Sequence, residues 1–241
     1  MRRLALALLC AAAALEAPGQ DYAREARWRA EVVPNLVVGE AVDLITPSGR
    51  AFLGIHSPGE AGKAAVVLVH GIGVHPDHGV MGALRMALAD MGFATLSIQM
   101  PVLGADAQAR DYFPALFPEA AARMAAAADW LAARGQHRIV LASHSLGSWM
   151  SQHYLETAKQ PHFIAWVSLG RGGEIREVRV PVLDVYGERD LPAVLDSAAA
   201  RARVLERIPG SRQRRIAGAD HFYTGKEAEL AQLLREFIEG L

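Results

Sequence analysis

The chain has 241 residues, of which 51% are hydrophobic and 21% are charged, a balance that is ordinary for a globular protein with one sizeable core. Its formal net charge of −1 lacks the basic excess that binding to a phosphate backbone uses, so nucleic acid is not an expected partner. The single cysteine, Cys10, lies in the N-terminal segment, and a processed chain would therefore have neither a disulfide nor a cysteine nucleophile.

The first residues are typical of a secretory signal peptide. A pair of arginines precedes an apolar run over residues 4–15 that is too short to span a bilayer, and small residues follow it. We predict a signal peptide over residues 1–19, cleaved after Ala17 or Gly19, and one domain over residues 20–241 without an integral membrane span. This predicts a periplasmic or secreted protein. The alternative is a buried N-terminal helix.

From residue 40 onward, strand-like and helix-like runs alternate, which is typical of a mostly parallel sheet with helices on both faces. Two runs flank the turn Pro47-Ser48-Gly49 and predict an antiparallel hairpin at 40–46 and 51–56. Buried parallel strands are predicted at 64–69, 94–99, 138–143, 163–168 and 182–186, with a weaker last strand at 212–216. Helices are predicted at 80–91, 118–133, 146–158, 192–207 and 226–238.

Two connections bear on access to a site at the ends of these strands. The segment 169–179 is about the shortest that a parallel crossover can use, so it has no room for a lid domain. The longer loop 100–117 contains Tyr112, Phe113 and Phe117, which either overhang a site or pack on the core. We therefore expect little or no lid.

A serine stands between a predicted buried strand and the helix that follows it. The stretch Ser143-His144-Ser145-Leu146-Gly147 fits a nucleophile elbow, the sharp turn that lifts a serine hydroxyl above the sheet edge and presents helix amides to a developing oxyanion. Ser143 stands where this motif usually has glycine, and helix capping is the alternative explanation of these five residues. Ser145 is the candidate nucleophile, and the backbone amide of Leu146 is a candidate oxyanion donor.

The predicted strand at 64–69 leads into the glycine-containing turn His70-Gly71-Ile72-Gly73. In proteins with a nucleophile elbow, a turn at this place supplies the second oxyanion amide. We predict the amide of Ile72 as this donor and Gly71 as a substrate-binding residue. His70 is predicted to orient the loop or to fill the core rather than to catalyse.

Two later loops supply an acid and a base. Asp190 follows a predicted strand, and His221 follows the last one. Asp184 and Glu188 are rival acids, but an acid at a loop end is suited to fixing the imidazole tautomer and stabilising the imidazolium. The chain order of Ser145, then the acid, then the histidine is the one that accompanies a nucleophile elbow.

These motifs, together with the run Ser97-Ile98-Gln99-Met100-Pro101, resemble those of α/β-hydrolases and, among them, the uncharacterised bacterial DUF3530 family. The resemblance covers nearly all of the chain after the predicted leader. It implies an α/β-hydrolase fold and hydrolase chemistry.

The sequence thus predicts a serine hydrolase that acts on a small-molecule acyl ester and requires no metal or organic cofactor. Esters are preferred to amides because an alcohol leaving group needs less help from protonation. Thioester or peptide hydrolysis stays an alternative, as does a non-catalytic binding or envelope protein of the same fold, which Ser143 would favour.

Several further residues are assigned to the substrate pocket with less support from the pattern. Tyr112, His144 and Trp149 are predicted to line the pocket, and core packing would explain each of them as well. The stretch His75-Pro76-Asp77-His78 is compatible with a metal site, but its spacing is not that of a zinc helix motif, so a place at the pocket mouth is preferred.

Overall fold

A computed structural model of the chain describes residues 19–159 and 161–241, so the predicted leader up to residue 18, with Cys10, lies outside the described residues. The strands are β1 (Glu40–Ile45), β2 (Ala51–Ser57), β3 (Ala65–Val69), β4 (Ala94–Ile98), β5 (Ile139–His144), β6 (Phe163–Leu169), β7 (Val182–Arg189) and β8 (Arg212–Asp220). The α-helices are α1 (Tyr22–Val32), α2 (Gly79–Asp90), α3 (Phe117–Ala132), α4 (Leu146–Thr157), α5 (Pro192–Leu205) and α6 (Glu227–Glu239). In this part of the chain, no helix is long and apolar enough to cross a membrane.

The strands form one open sheet in the order β1-β2-β4-β3-β5-β6-β7-β8. β2 pairs antiparallel with β1 and with β4, and all other neighbours pair in parallel. The predicted hairpin and parallel sheet are confirmed. Because the chain leaves β3 for β4 on one side and returns to β5 on the other, the order reverses between β3 and β5, the place where open α/β sheets bind ligands.

The central strands are buried on both faces by helices. Along β3, Val67 belongs to an apolar cluster that includes residues of α3 and α4, whereas Leu68 belongs to a second cluster with residues of α2 and α6. Alternate residues of a strand point to opposite faces, so this division is the expected result of a sheet sandwiched between helix layers.

The connections agree with the expected lack of a lid. Residues 170–181 join β6 to β7 without a helix, and the loop before α3 contains only the short 3-10 helix Ala109–Tyr112. Tyr112 is buried and its hydroxyl accepts a hydrogen bond of 3.1 Å from the amide of Leu103. The loop therefore packs its tyrosine on the core, the alternative that the sequence left open.

Helix α1 was not predicted, because it is mostly polar and charged and buries almost no apolar residue of its own. Only Val32 among its residues is buried. Polar contacts hold the helix instead: Asp21 caps its first turn by accepting from the amide of Arg24 at 2.8 Å, and Glu25 accepts from the buried Arg123 at 2.9 Å.

Candidate active site

Ser145 occupies the turn between β5 and α4. Its φ of 53° and ψ of −121° lie in a region that residues other than glycine rarely adopt. The amide of Ser145 donates to the carbonyl of Leu169 at 2.8 Å, which ties the turn to the end of β6. Leu146 is the first residue of α4, so its amide has no acceptor within the helix.

Close packing beneath this turn explains the glycine that follows it. A Cβ atom at Gly147 would lie 2.5 Å from the carbonyl oxygen of His70 and 2.8 Å from that of Val69. The start of α4 therefore lies directly against the end of β3, and only glycine fits.

His221 joins Ser145 to Asp190. Its Nε2 lies 3.0 Å from the Ser145 Oγ, and its Nδ1 lies 2.6 Å from Asp190 Oδ1. Burial raises the pKa of Asp190, but hydrogen bonds from His221 and from the amides of Gly187 and Leu191 outweigh it, so the pKa lies below its ordinary value. An ionised carboxylate only accepts hydrogen bonds, so Nδ1 holds the proton and Nε2 is free to accept from the serine hydroxyl.

Neither rival acid contacts His221. Asp184 is fully buried in β7 and accepts from Arg201 Nε at 2.8 Å and from Gln213 Nε2 at 2.9 Å. Glu188 is exposed and accepts from the Gly218 amide at 2.9 Å. Of the three carboxylates, only Asp190 orients the imidazole.

His144 connects the serine turn to the loop of the histidine. Its Nε2 lies 2.9 Å from the carbonyl oxygen of His221, and the two imidazole centroids are 4.8 Å apart. A carbonyl only accepts, so Nε2 of His144 is the protonated nitrogen. Burial lowers the pKa of His144 to about 4, which keeps the ring neutral near pH 7.

His70 holds the turn that follows β3. Its Nε2 accepts from the amide of Met100 at 2.9 Å, so its Nδ1 holds the proton and donates to the Gly71 carbonyl at 2.8 Å. Burial lowers the pKa of this imidazole to about 3. A Cβ at Gly71 would lie 3.3 Å from the Cβ of Ser145, so the turn with Ile72 adjoins the serine. These contacts agree with the prediction that His70 orients the loop.

A cavity of about 450 Å³ opens above these groups. It is lined by five residues that the sequence placed in the site, namely Gly71, Ile72, His144, Ser145 and His221. The sequence did not assign these other lining residues to the pocket: His70, Val74, Gly79, Val80, Met81, Ala109, Leu191 and Phe222. Leu191 and Phe222 directly follow the acid and the histidine in the sequence, a signal that could have identified them.

Two residues predicted at the pocket lie elsewhere. Tyr112 is buried under the loop before α3, as described above. Trp149 stacks against the guanidinium of Arg171 at 3.8 Å and meets the ring of Phe113 edge-on at 5.3 Å. One turn after Ser145, this face of α4 is directed toward the segment after β6 rather than toward the cavity.

Of the stretch His75-Pro76-Asp77-His78, which was predicted at the pocket mouth, only His78 is among the residues that line the cavity. His78 lines the cavity, and Asp77 Oδ1 accepts from Arg85 Nη2 at 2.5 Å. That ion pair occupies the carboxylate, and within the described ranges no group of three or more metal-ligating side chains comes together.

Comparison with known proteins agrees with this architecture. The DUF3530 family, described as a protein of unknown function, matches residues 5–121. No curated protein sequence matches the chain. Similar solved structures include a serine hydrolase without a lid from Xanthomonas campestris, at 18% identity over 85% of this chain and 95% of that chain with a TM-score of 0.64.

Two further structures extend the likeness. A dienelactone hydrolase from Anabaena variabilis is 22% identical over 84% of this chain and 97% of that chain, with a TM-score of 0.67. The esterase domain of a Rhodothermus marinus protein is 15% identical over 82% of this chain and 96% of that chain, with a TM-score of 0.62. At these identities the likeness establishes the fold. The chain therefore has the fold of the α/β-hydrolases, and over residues 5–121 it resembles the DUF3530 family.

Proposed function

We propose that this protein is a serine hydrolase that cleaves carboxylic esters through an acyl-enzyme. The observation that supports this most is the continuous hydrogen-bonded path from Ser145 through His221 to Asp190, at 3.0 and 2.6 Å. The path ends on a serine with a strained backbone at the floor of a cavity, which is the arrangement of an activated nucleophile.

The proposed reaction uses these groups in two steps. His221 Nε2 removes the proton from Ser145 Oγ as the oxygen attacks the ester carbonyl, and Asp190 stabilises the resulting imidazolium. The amides of Ile72 and Leu146 stabilise the oxyanion, and His221 returns the proton to the departing alcohol. Water, deprotonated by His221, then attacks the acyl-serine and releases the carboxylic acid.

Two considerations favour an ester as substrate. An alcohol is a better leaving group than an amine, so its departure needs less protonation by His221. Among the proteins of similar fold, one is named an esterase domain and another a dienelactone hydrolase.

The test is labelling with a fluorophosphonate, followed by intact mass and peptide mapping, because this reagent needs an activated serine but no knowledge of the substrate. We expect one adduct on Ser145, lost in Ser145→Ala and His221→Ala but kept in His162→Ala, an exposed histidine paired with Asp129. A folded wild-type protein that gains no adduct would overturn the proposal and favour a binding protein of the same fold.

We also propose that the protein is exported and that its leader is removed. Helix α1 begins at Tyr22 with Asp21 as its cap, so cleavage after Ala17 or Gly19 would leave every described element intact. N-terminal sequencing of protein recovered from a bacterial periplasm should give a chain that starts at Pro18 or Gln20. Recovery only from the cytoplasm with Met1 in place would contradict this.

A further inference from the structure

The cavity above Ser145 has an apolar rim built from three loops. Ile72 follows the Gly71 turn, Leu191 follows Asp190, and Phe222 follows His221, and their side chains are 37%, 50% and 61% exposed. A single exposed apolar residue is ordinary at a protein surface. Three such residues that line one cavity are less ordinary, because exposed apolar side chains grouped at one place usually mark a binding site.

The interior of the cavity is also mostly apolar, although its lining includes the exposed imidazole of His78. Val74, Val80, Met81 and Ala109 line it, and no aspartate, glutamate, lysine or arginine of the described residues does so. The imidazoles of His70 and His144 point protonated nitrogens at backbone carbonyls, so they offer no cation to a substrate. A charged substituent that packs against these four apolar side chains would lose its hydration without gaining a partner among them.

We propose, on the basis of the ester hydrolase function above, that the site selects esters whose acyl group is an uncharged, apolar chain of medium length. The chain would lie against Ile72, Leu191 and Phe222, with its carbonyl at Ser145. A cavity of about 450 Å³ is of the size that holds a small ligand, and it admits a chain longer than acetyl.

The experiment compares p-nitrophenyl esters from acetate to dodecanoate, together with the hemisuccinate, whose free carboxylate gives the acyl chain a charge. We expect kcat/KM to rise by about two- to fourfold per methylene up to hexanoate or octanoate, since each buried methylene adds favourable transfer free energy. The hemisuccinate should be cleaved at least ~100-fold more slowly than the butyrate.

Variants test whether the rim is the selecting surface. Phe222→Ser and Leu191→Ser should lower the octanoate-to-acetate ratio of kcat/KM by about tenfold, because they remove apolar contact with the chain. Leu195→Ser is the matched control, since Leu195 is 37% exposed on α5 but does not line the cavity, and it should keep the wild-type ratio.

The outcomes separate the two proposals. A Ser145 adduct with a flat series, with fastest cleavage of acetate, or with efficient cleavage of the hemisuccinate would overturn the apolar acyl specificity alone. Absence of both the adduct and ester turnover would overturn the hydrolase function and this inference with it.

A second inference comes from helix α1, which bridges two loops beside the site. Arg24 donates from Nη2 to the carbonyl of Gly73 at 3.0 Å and from Nη1 to the carbonyl of Leu103 at 2.8 Å. Trp28, one turn later, places its ring 5.8 Å from that of His75. The helix thus contacts the loop that contains the proposed oxyanion donor, at the residue next to Ile72.

We infer that Arg24 is a positioning residue that fixes the Gly71–Gly73 turn and, through it, the amide of Ile72. The two nitrogens of the guanidinium reach two carbonyls in fixed geometry, which an ammonium cannot do. Displacement of an oxyanion donor by about an ångström lowers the rate of the chemical step with little effect on substrate binding.

The test is the kinetics of Arg24→Ala on the best ester of the series. We expect kcat to fall by about ten- to a hundredfold at nearly constant KM, with partial recovery in Arg24→Lys. Arg27→Ala is the control, because Arg27 is on the same helix and is exposed, and its ion pair with Asp21, at 3.8 Å, does not involve the Gly71–Gly73 turn. The inference would be overturned if the two alanine variants had equal kcat, or if the fall in kcat of Arg24→Ala were matched by an equal rise in KM. Thermal unfolding of each variant distinguishes a slower reaction from a loss of folded protein.

Discussion

The indole nitrogen of Trp166 donates a hydrogen bond of 2.8 Å to the hydroxyl of Ser143, and both side chains are fully buried between β5 and β6. Ser143 in turn lies 3.3 Å from the hydroxyl of Ser148 in α4. The residue that replaces the usual first glycine of the elbow is thus a buried hydrogen-bonding link, and the strained backbone lies two residues later at Ser145.

Replacing Ser143 should therefore affect stability rather than chemistry. Ser143→Ala leaves the Trp166 indole without an acceptor, and we expect the free energy of unfolding to fall by about 1–3 kcal/mol. Ser143→Gly, which restores the common motif, should be no more active than wild type. Urea unfolding measures the loss of stability in Ser143→Ala. The double variant Ser143→Ala with Trp166→Phe should lose less free energy of unfolding than the sum of the losses in the two single variants. Simple additivity of these losses would contradict a hydrogen bond between the two side chains.

Asp184, inside β7, and Asp190, directly after it, should differ in what their replacement changes. Asp190→Asn can no longer fix the tautomer of His221, and kcat should fall by about 10⁴-fold with the fold retained. Asp184→Asn instead leaves Arg201 buried without its counterion, so we expect the free energy of unfolding to fall by roughly 3–5 kcal/mol. Kinetics normalised by the fraction of folded protein should show near wild-type turnover for Asp184→Asn; a reversed pattern would mean that the acid is misassigned.

The glycine beneath the elbow gives a steric prediction. Gly147→Ala would place a methyl group 2.5 Å from the carbonyl oxygen of His70, which must push α4 and Ser145 away from β3. We expect about a 100-fold loss of fluorophosphonate labelling rate. Gly172→Ala is the matched control, because its Cβ would make only ordinary contact, at 3.4 Å, with Ala193. Equal labelling of the two variants would show that the elbow tolerates the methyl group.

Two buried histidines make stability depend on pH. Burial lowers the pKa of His70 to about 3 and that of His144 to about 4, whereas a histidine in the unfolded chain titrates near pH 6.5. Below pH 6.5 the unfolded chain binds protons that the native protein does not, so the free energy of unfolding falls as the pH falls, down to about pH 4 for His144 and about pH 3 for His70.

The quantity to measure is the slope of the free energy of unfolding against pH. Each histidine contributes at most about 1.4 kcal/mol per pH unit in this window. Urea unfolding of His144→Gln between pH 7 and pH 5 should show a shallower pH dependence than that of wild type. An identical slope would mean that His144 is protonated in the native state or does not titrate in the unfolded one.

The sequence predicted the sheet and the meeting of Ser145, Asp190 and His221, because parallel strands bring their carboxyl ends to one edge whatever the details of packing. It did not predict the places of Tyr112 and Trp149, since the face that a loop or a helix turns to the cavity depends on neighbours distant in sequence. Helix α1 was not predicted because most of its residues are polar or charged, so no apolar face marks it in the sequence.

The φ of 53° at Ser145 has a consequence for how this protein can be observed. A backbone held in this region costs on the order of 1–3 kcal/mol and persists only while its surroundings enforce it. Here the enforcing contacts come from the end of β6 and from the packing of α4 on β3. The reactivity of Ser145 should therefore fall when the turn between β5 and α4 opens locally. Labelling rates followed through a urea titration should report the release of this turn at concentrations where most helices and strands are still formed.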